Sequence, residues 1–205
     1  AALGIGLALS VPLAWIATRN PGGWLDRGAV ALASIGVAIP AFWLGLLLIL
    51  LFAVHLGWLP AMGARTPEHI ILPALTLGLG VAASLTRILR SGILEARGQP
   101  FLPAFRRRGI APRDIERDHI APHAAIPFVT VFGLELAFLL EGLVVVEVIF
   151  ARPGLASFLV SAIGARDFPQ VQAVVLVTAV VFVTVNLLID LMYRTLDPRI
   201  GARDA

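Results

Sequence analysis

Five stretches of this chain are long, continuous and almost free of charge: Ala1 to Thr18, Ala29 to Val54, Ile70 to Thr86, Ala124 to Phe150 and Val171 to Ile189. A helix rises 1.5 Å per residue and needs about 20 residues, or about 17 at the short end, to cross about 30 Å of hydrocarbon, so each stretch can cross once. The runs are uniformly apolar rather than alternating, which argues against barrel strands, and lipid does not tolerate unpaired backbone. The sequence therefore predicts an all-α membrane protein, a bundle of five transmembrane helices at about 1–18, 29–54, 70–94, 124–150 and 171–193. Composition agrees, since 59% of the 205 residues are hydrophobic and mean hydropathy is +0.91, well beyond what a soluble core requires. Residue 1 is not methionine and no basic region precedes the first run, so the chain reads as a fragment without its natural start and not as a signal peptide.

Orientation follows from arginine, because the basic residues include no lysine. One side receives Arg19, Arg27, Arg97, Arg106, Arg107, Arg108, Arg113, Arg117, Arg194, Arg199 and Arg203; the other receives Arg65, Arg152 and Arg166. Arg87 and Arg90 prolong the third span towards the richer side, which the positive-inside rule makes cytoplasmic. The net charge of +3 reports this asymmetry and not a nucleic-acid partner, which would call for a basic face with interleaved aromatics on a soluble module.

Most of that charge lies in one polar break, residues 96–123, reading ARGQPFLPAFRRRGIAPRDIERDHIAPH. Pro100 and Pro103 suit the first turn of a short helix running to Arg108, where a missing N–H costs little. Gly109 suits a C-terminal cap with positive φ, and Pro112 suits the first position of a second helix with Asp114 and Glu116 near its positive end. The expected result is a cytoplasmic helical hairpin that offers a surface to a partner.

The stretch GQPFLPAFRRRGIAPRDIERDHIAPHAAIPFVTV resembles the cytoplasmic EAA loop of ABC-transporter permeases of the binding-protein-dependent dipeptide/oligopeptide/nickel import branch. Residues 39–63, 71–80, 144–176 and 188–201 are similar to that branch in the same order, so the likeness covers essentially the whole chain. It implies a MetI-like ABC permease domain that lacks its first span. It also implies that the first loop helix is a coupling helix seated on a cytoplasmic ATPase, with Phe105, Arg106, Arg107, Arg108 and Gly109 at the matching positions. The eponymous Glu-Ala-Ala positions are here Pro103, Ala104 and Phe105. The implied partners are a second homologous permease, two cytoplasmic ATPase subunits, an extracytoplasmic substrate-binding protein and the lipid of a bacterial inner membrane. The implied role is import of a peptide-like solute, with ATP and Mg on the ATPases and no cofactor on this chain.

The residues themselves agree that energy must enter elsewhere, because a P-loop needs a lysine and this chain has none. Enzyme motifs such as His-Glu-x-x-His and Gly-x-Ser-x-Gly are also missing, and the lack of cysteine removes thiol chemistry and thiolate metal sites. The fourth run carries Glu135, Glu141 and Glu147, each six residues apart, or 240° of rotation, so they do not form one acidic wall. An intramembrane carboxylate costs about 2.5 to 3.5 kcal/mol unless paired, protonated or hydrated, which makes Glu135 and Glu141 candidates for the translocation pathway, facing a cationic group of the solute, or for protonated helix–helix contacts. An ion- or proton-coupled secondary carrier could use the same glutamates as a relay, but would show inverted repeats that are not evident here.

Glu147, with Arg152, Pro153 and Gly154, is expected at the outer interface, in an outer gate or binding-protein contact; the apolar stretch after it, LASFLVSAIGA, is too short to cross and reads as interfacial or re-entrant. His119 and His123 have a spacing that one metal ion could share, but Pro122 intervenes and no third ligand is evident, so no metal site is assigned.

Overall fold

A computed structural model describes residues 1–196, with the side chains of residues 140, 141 and 188–196 outside that description. The elements described are α-helices with short π and 3₁₀ turns: α1 (Ala2–Ala17), α2 (Trp24–Ala38), α3 (Ala41–Leu48), α4 (Ile71–Arg97), α5 (Leu102–Arg107), α6 (Pro112–Ile115), α7 (Ala121–Ile149), α8 (Leu155–Gly164) and α9 (Phe168–Leu196). Wider π-helical turns prolong α3 over Ile49–His55 and join α6 to α7 over Glu116–Ile120. The Arg194 side chain and the residues Arg199 and Arg203 used in the charge count lie outside the described residues, as does the side chain of Glu141.

The organising element is α4. It packs against α1, α2, α3 and α7, and buries Leu72, Val81, Leu85 and Ile93 along its length. Small residues allow this crowding: a Cβ on Gly78 would stand 2.9 Å from the Ala2 carbonyl, and one on Gly6 2.6 Å from Val81. Gly36 approaches Ala83 in the same way. Close contact between backbones is the main source of helix association where lipid removes the hydrophobic difference. By contrast, α9 leaves Val175, Leu176, Val180, Val183 and Leu187 exposed, as lipid or a neighbouring subunit would require.

By length and composition, three helical segments among the described residues are able to cross a membrane: Pro67–Arg97, Pro112–Leu139 and Phe168–Leu187. The expected single span at 29–54 is instead a pair of helices, Trp24–Ala38 and Ala41–His55, bent by 103°. Pro40 explains the break. It lacks an N–H for the helical ladder, and its ring forces the preceding Ile39 into extended backbone at φ −78°, ψ 121°. Counting that pair as one gives four crossings. The expected first span is the shorter helix α1, whose 16 residues extend about 24 Å.

Candidate functional site

The polar break folds as two short helices joined at a glycine, as expected, except that Pro100 lies in the turn before α5 and not in its first turn. α5 opens with Pro103 in its first turn and closes on Gly109 at φ +75°. Ile110 N–H donates to the Phe105 carbonyl (3.2 Å) and Gly109 N–H to that of Arg106 (3.1 Å), the paired bonds of a Schellman cap, with Phe105 and Ile110 packed against the same core. α6 begins at Pro112 with Asp114 in its first turn and runs through the π turn into α7 without leaving helical conformation. The hairpin is two-sided. Leu102, Ile115 and Ile120 are buried with Ala14 of α1, Leu89, Ile93 and Ala96 of α4, and Ala124 of α7, whereas Arg106, Arg107, Arg108 and Gly109 stand exposed.

Two features that the sequence did not disclose fix the hairpin to the spans. At the end of α4, the Arg97 guanidinium donates to both carboxylate oxygens of Glu116 (3.1 Å each) and to the Thr18 carbonyl at the end of α1, and lies 6.0 Å from the centre of the Trp15 ring. One cation thus ties α1, α4 and the returning arm of the loop together. On the other side, Phe105 stacks on His119 with ring centres 4.1 Å apart, and Phe101 meets Phe105 and His123 edge-on. The two histidines therefore serve an aromatic cluster in this structure. Sequence reasoning counted Arg97 only as a topology charge; the spacing of Arg97 and Glu116, on opposite arms of the break, is the signal it passed over.

A second ion pair joins α2 to α4. Asp26, 2% exposed, accepts Nε and Nη2 of Arg90, the latter at 2.8 Å, and the Gly22 N–H at 2.7 Å. Fixed in this way, the entry to the broken helix is anchored on the element that also carries the loop.

At the opposite end of α4 and α7, the chain turns sharply after Phe150, with Ala151 at φ 46°. Glu147 Oε2 accepts the N–H groups of Ala156 (2.9 Å) and Ser157 (3.0 Å), so its carboxylate caps the first turn of α8. Arg152 donates through its backbone to the Glu147 carbonyl and through its guanidinium to that of His69 (3.0 Å), and Gly63 N–H donates to the Phe150 carbonyl. Glu147, Arg152 and Gly154 are thus brought together, and much of their hydrogen-bonding capacity is spent inside the chain. α8 matches the short, non-crossing helix expected from its length.

Two of the cavities between the ends adjoin one another. The outer one, about 500 Å³, is bordered by Leu3, Glu147, Arg152 and Pro153; the inner, about 160 Å³, sits at the α2–α3 break beside Glu135, and Leu77 and Leu139 line both. Glu135 thus lines a cavity bordered by α2, α3, α4 and α7.

Comparison with known proteins identifies the setting of these features. The family described as "Binding-protein-dependent transport system inner membrane component" matches residues 10–202. The glutathione transport system permease protein GsiC of Salmonella choleraesuis (strain SC-B67) is 40% identical over 198 residues, covering 97% of this chain and 62% of that protein. Its counterpart in Pectobacterium atrosepticum is 41% identical over 196 residues, covering 95% and 62%. The chain therefore spans under two thirds of the length of these relatives. Among solved structures, the inward-facing MetNI methionine ABC transporter superposes with a TM-score of 0.77 at 18% identity, covering 96% of this chain and 89% of the matched one. An amino acid ABC transporter solved with histidines gives 0.72 at 21%, covering 95% and 86%. The fold is that of these permease chains, and with the family pattern running along nearly its whole length, the protein belongs to the binding-protein-dependent transport system inner membrane components.

Proposed function

We propose that the chain is the permease subunit of an ATP-driven importer, forming the translocation pathway for a peptide-like solute across the bacterial inner membrane. It works with a second homologous permease, two cytoplasmic ATPase subunits and an extracytoplasmic binding protein, and ATP and Mg act on the ATPases. The observation that carries this reading is the two-sided hairpin: its inner face shares one core with α1, α4 and α7, while Arg106–Gly109 project outward. A push on the exposed turn is therefore felt by three membrane helices at once. The peptide class is supported by the relatives, which are glutathione permeases.

In this reading α1, the broken α2–α3 pair, α4, α7 and α9 make five crossings, with the hairpin cytoplasmic as the arginine distribution requires. Glu135 and Glu141 belong to the pathway; Glu147, Arg152, Pro153 and Gly154 form the outer gate, on which the binding protein docks. The chain has no cysteine, so single cysteines report topology cleanly. Arg107→Cys in the full-length protein should react with an impermeant maleimide only in inside-out vesicles, and Ser161→Cys only in right-side-out ones; labelling both from the same side would refute the arrangement.

A further inference from the structure

The inner cavity carries chemistry that a general pathway role does not assign. Its walls are the end of α2 (Gly36, Ile39), the start of α3 (Ala41), α4 (Thr76, Gly80) and Glu135 of α7. None of the ion pairs among the described residues involves Glu135. The Thr76 hydroxyl donates to the Leu72 carbonyl (2.8 Å), which leaves its oxygen able to accept.

The helix break supplies a second negative group. In a continuous helix the Gly36 carbonyl accepts from residue 40, but residue 40 is proline, and the Ile39 N–H goes to Ile35 (3.0 Å). Gly36 lines the cavity at the negative end of α2, and its carbonyl lacks the residue-40 N–H that a continuous helix would supply. The first turn of α3 opposes this with its positive end, worth about half a charge, which a full carboxylate outweighs. Half-helix C-termini and unwound carbonyls at a broken span are the usual way a membrane protein holds a cation near the bilayer centre.

Resting on the importer reading, we infer that this cavity binds the free amino terminus of the solute, with the ammonium group held between the Glu135 carboxylate and the Gly36 carbonyl. Size supports recognition of one end only. About 160 Å³ holds about five water-sized groups, at about 30 Å³ each, so the ammonium and the atoms next to it fit while a whole tripeptide does not. The outer cavity adjoins it, sharing Leu77 and Leu139 as lining residues, and has about 500 Å³.

The test uses the assembled transporter in nanodiscs without its binding protein, and equilibrium binding of radiolabelled tri-alanine and N-acetyl-tri-alanine. Parent transporter should bind the free amine at least tenfold more tightly than the acetylated peptide. Glu135→Gln should abolish that preference, and Glu135→Asp, assembled equally well by size exclusion, should keep part of it. No binding, no preference in the parent, or a preference unchanged in Glu135→Gln overturns the inference. ATP-driven uptake by the same parent complex, reconstituted with its binding protein, is scored separately: its absence would remove the importer reading and leave the binding comparison to stand or fall by itself.

Discussion

Gly109 and Gly154 are glycines for opposite physical reasons. At Gly109 the backbone demands it: φ is +75°, a region that costs an L-residue about 1–2 kcal/mol, although a Cβ there would meet nothing within 4 Å. At Gly154 the backbone is extended, at φ −163°, and any residue could adopt it; space is what is lacking, since a Cβ would lie 2.1 Å from Oε1 of Glu147. That carboxylate cannot swing aside freely, because it is held by two amides of α8. Gly154→Ala should therefore destabilise the protein by about 1–3 kcal/mol, the usual cost of overpacking, measurable as a fall in Tm of the purified transporter. Glu147→Ala in the same background should recover part of the loss. An unchanged Tm in the single variant would show that the capping geometry is wrong. Gly109 was legible in the sequence, because a glycine between an arginine-rich helix and Ala-Pro has few other roles; the reason for Gly154 was not, because it depends on a turn that folds the chain back onto a side chain seven residues earlier.

At the scale of elements, the proposed coupling role requires the hairpin to be stiffly joined to the membrane helices. Its apolar face supplies one joint and Arg97 the other, reaching α1 through the Thr18 carbonyl and the loop through Glu116. Hydrogen bonds to charged groups are worth about 1.5–3 kcal/mol, enough to hold the arms together while the helices shift. Arg97→Ala should leave ATP hydrolysis by the complex near its parental rate while lowering solute taken up per ATP at least fivefold. Arg97→Lys, a single-headed cation that cannot span both partners, should fall between. Parallel loss of hydrolysis and uptake would mark Arg97 as merely structural. The elements were largely readable from apolar runs and prolines, with one instructive exception. Hydropathy over 29–54 is blind to direction, so a proline in the middle of an apolar run left the span looking continuous, whereas in the fold it turns by 103° and opens the cavity beside Glu135.

For the molecule as a whole, α4 is the axis on which the account turns. Its outer half borders both cavities, its inner half pairs with Asp26, and its last residue grips the loop, so a displacement at the hairpin and a change at the cavities involve the same rigid element. Composition and arginine placement disclosed the membrane class and the polar loop; the ties between them come from contacts such as Arg90 with Asp26, 64 residues apart, which no local pattern announces. The central claim is that Arg106–Gly109 receive the work of ATP hydrolysed on another subunit. The most direct measurement is mass spectrometry of what co-purifies, in mild detergent, with the tagged full-length protein expressed at its own locus, for the parent and for Gly109→Val combined with alanine at Arg106, Arg107 and Arg108. The parent should bring down two ATPase subunits and a second permease, and the altered loop should lose the ATPases while keeping the permease. A parent that purifies alone, or an altered loop that retains its ATPases in full, would contradict the account.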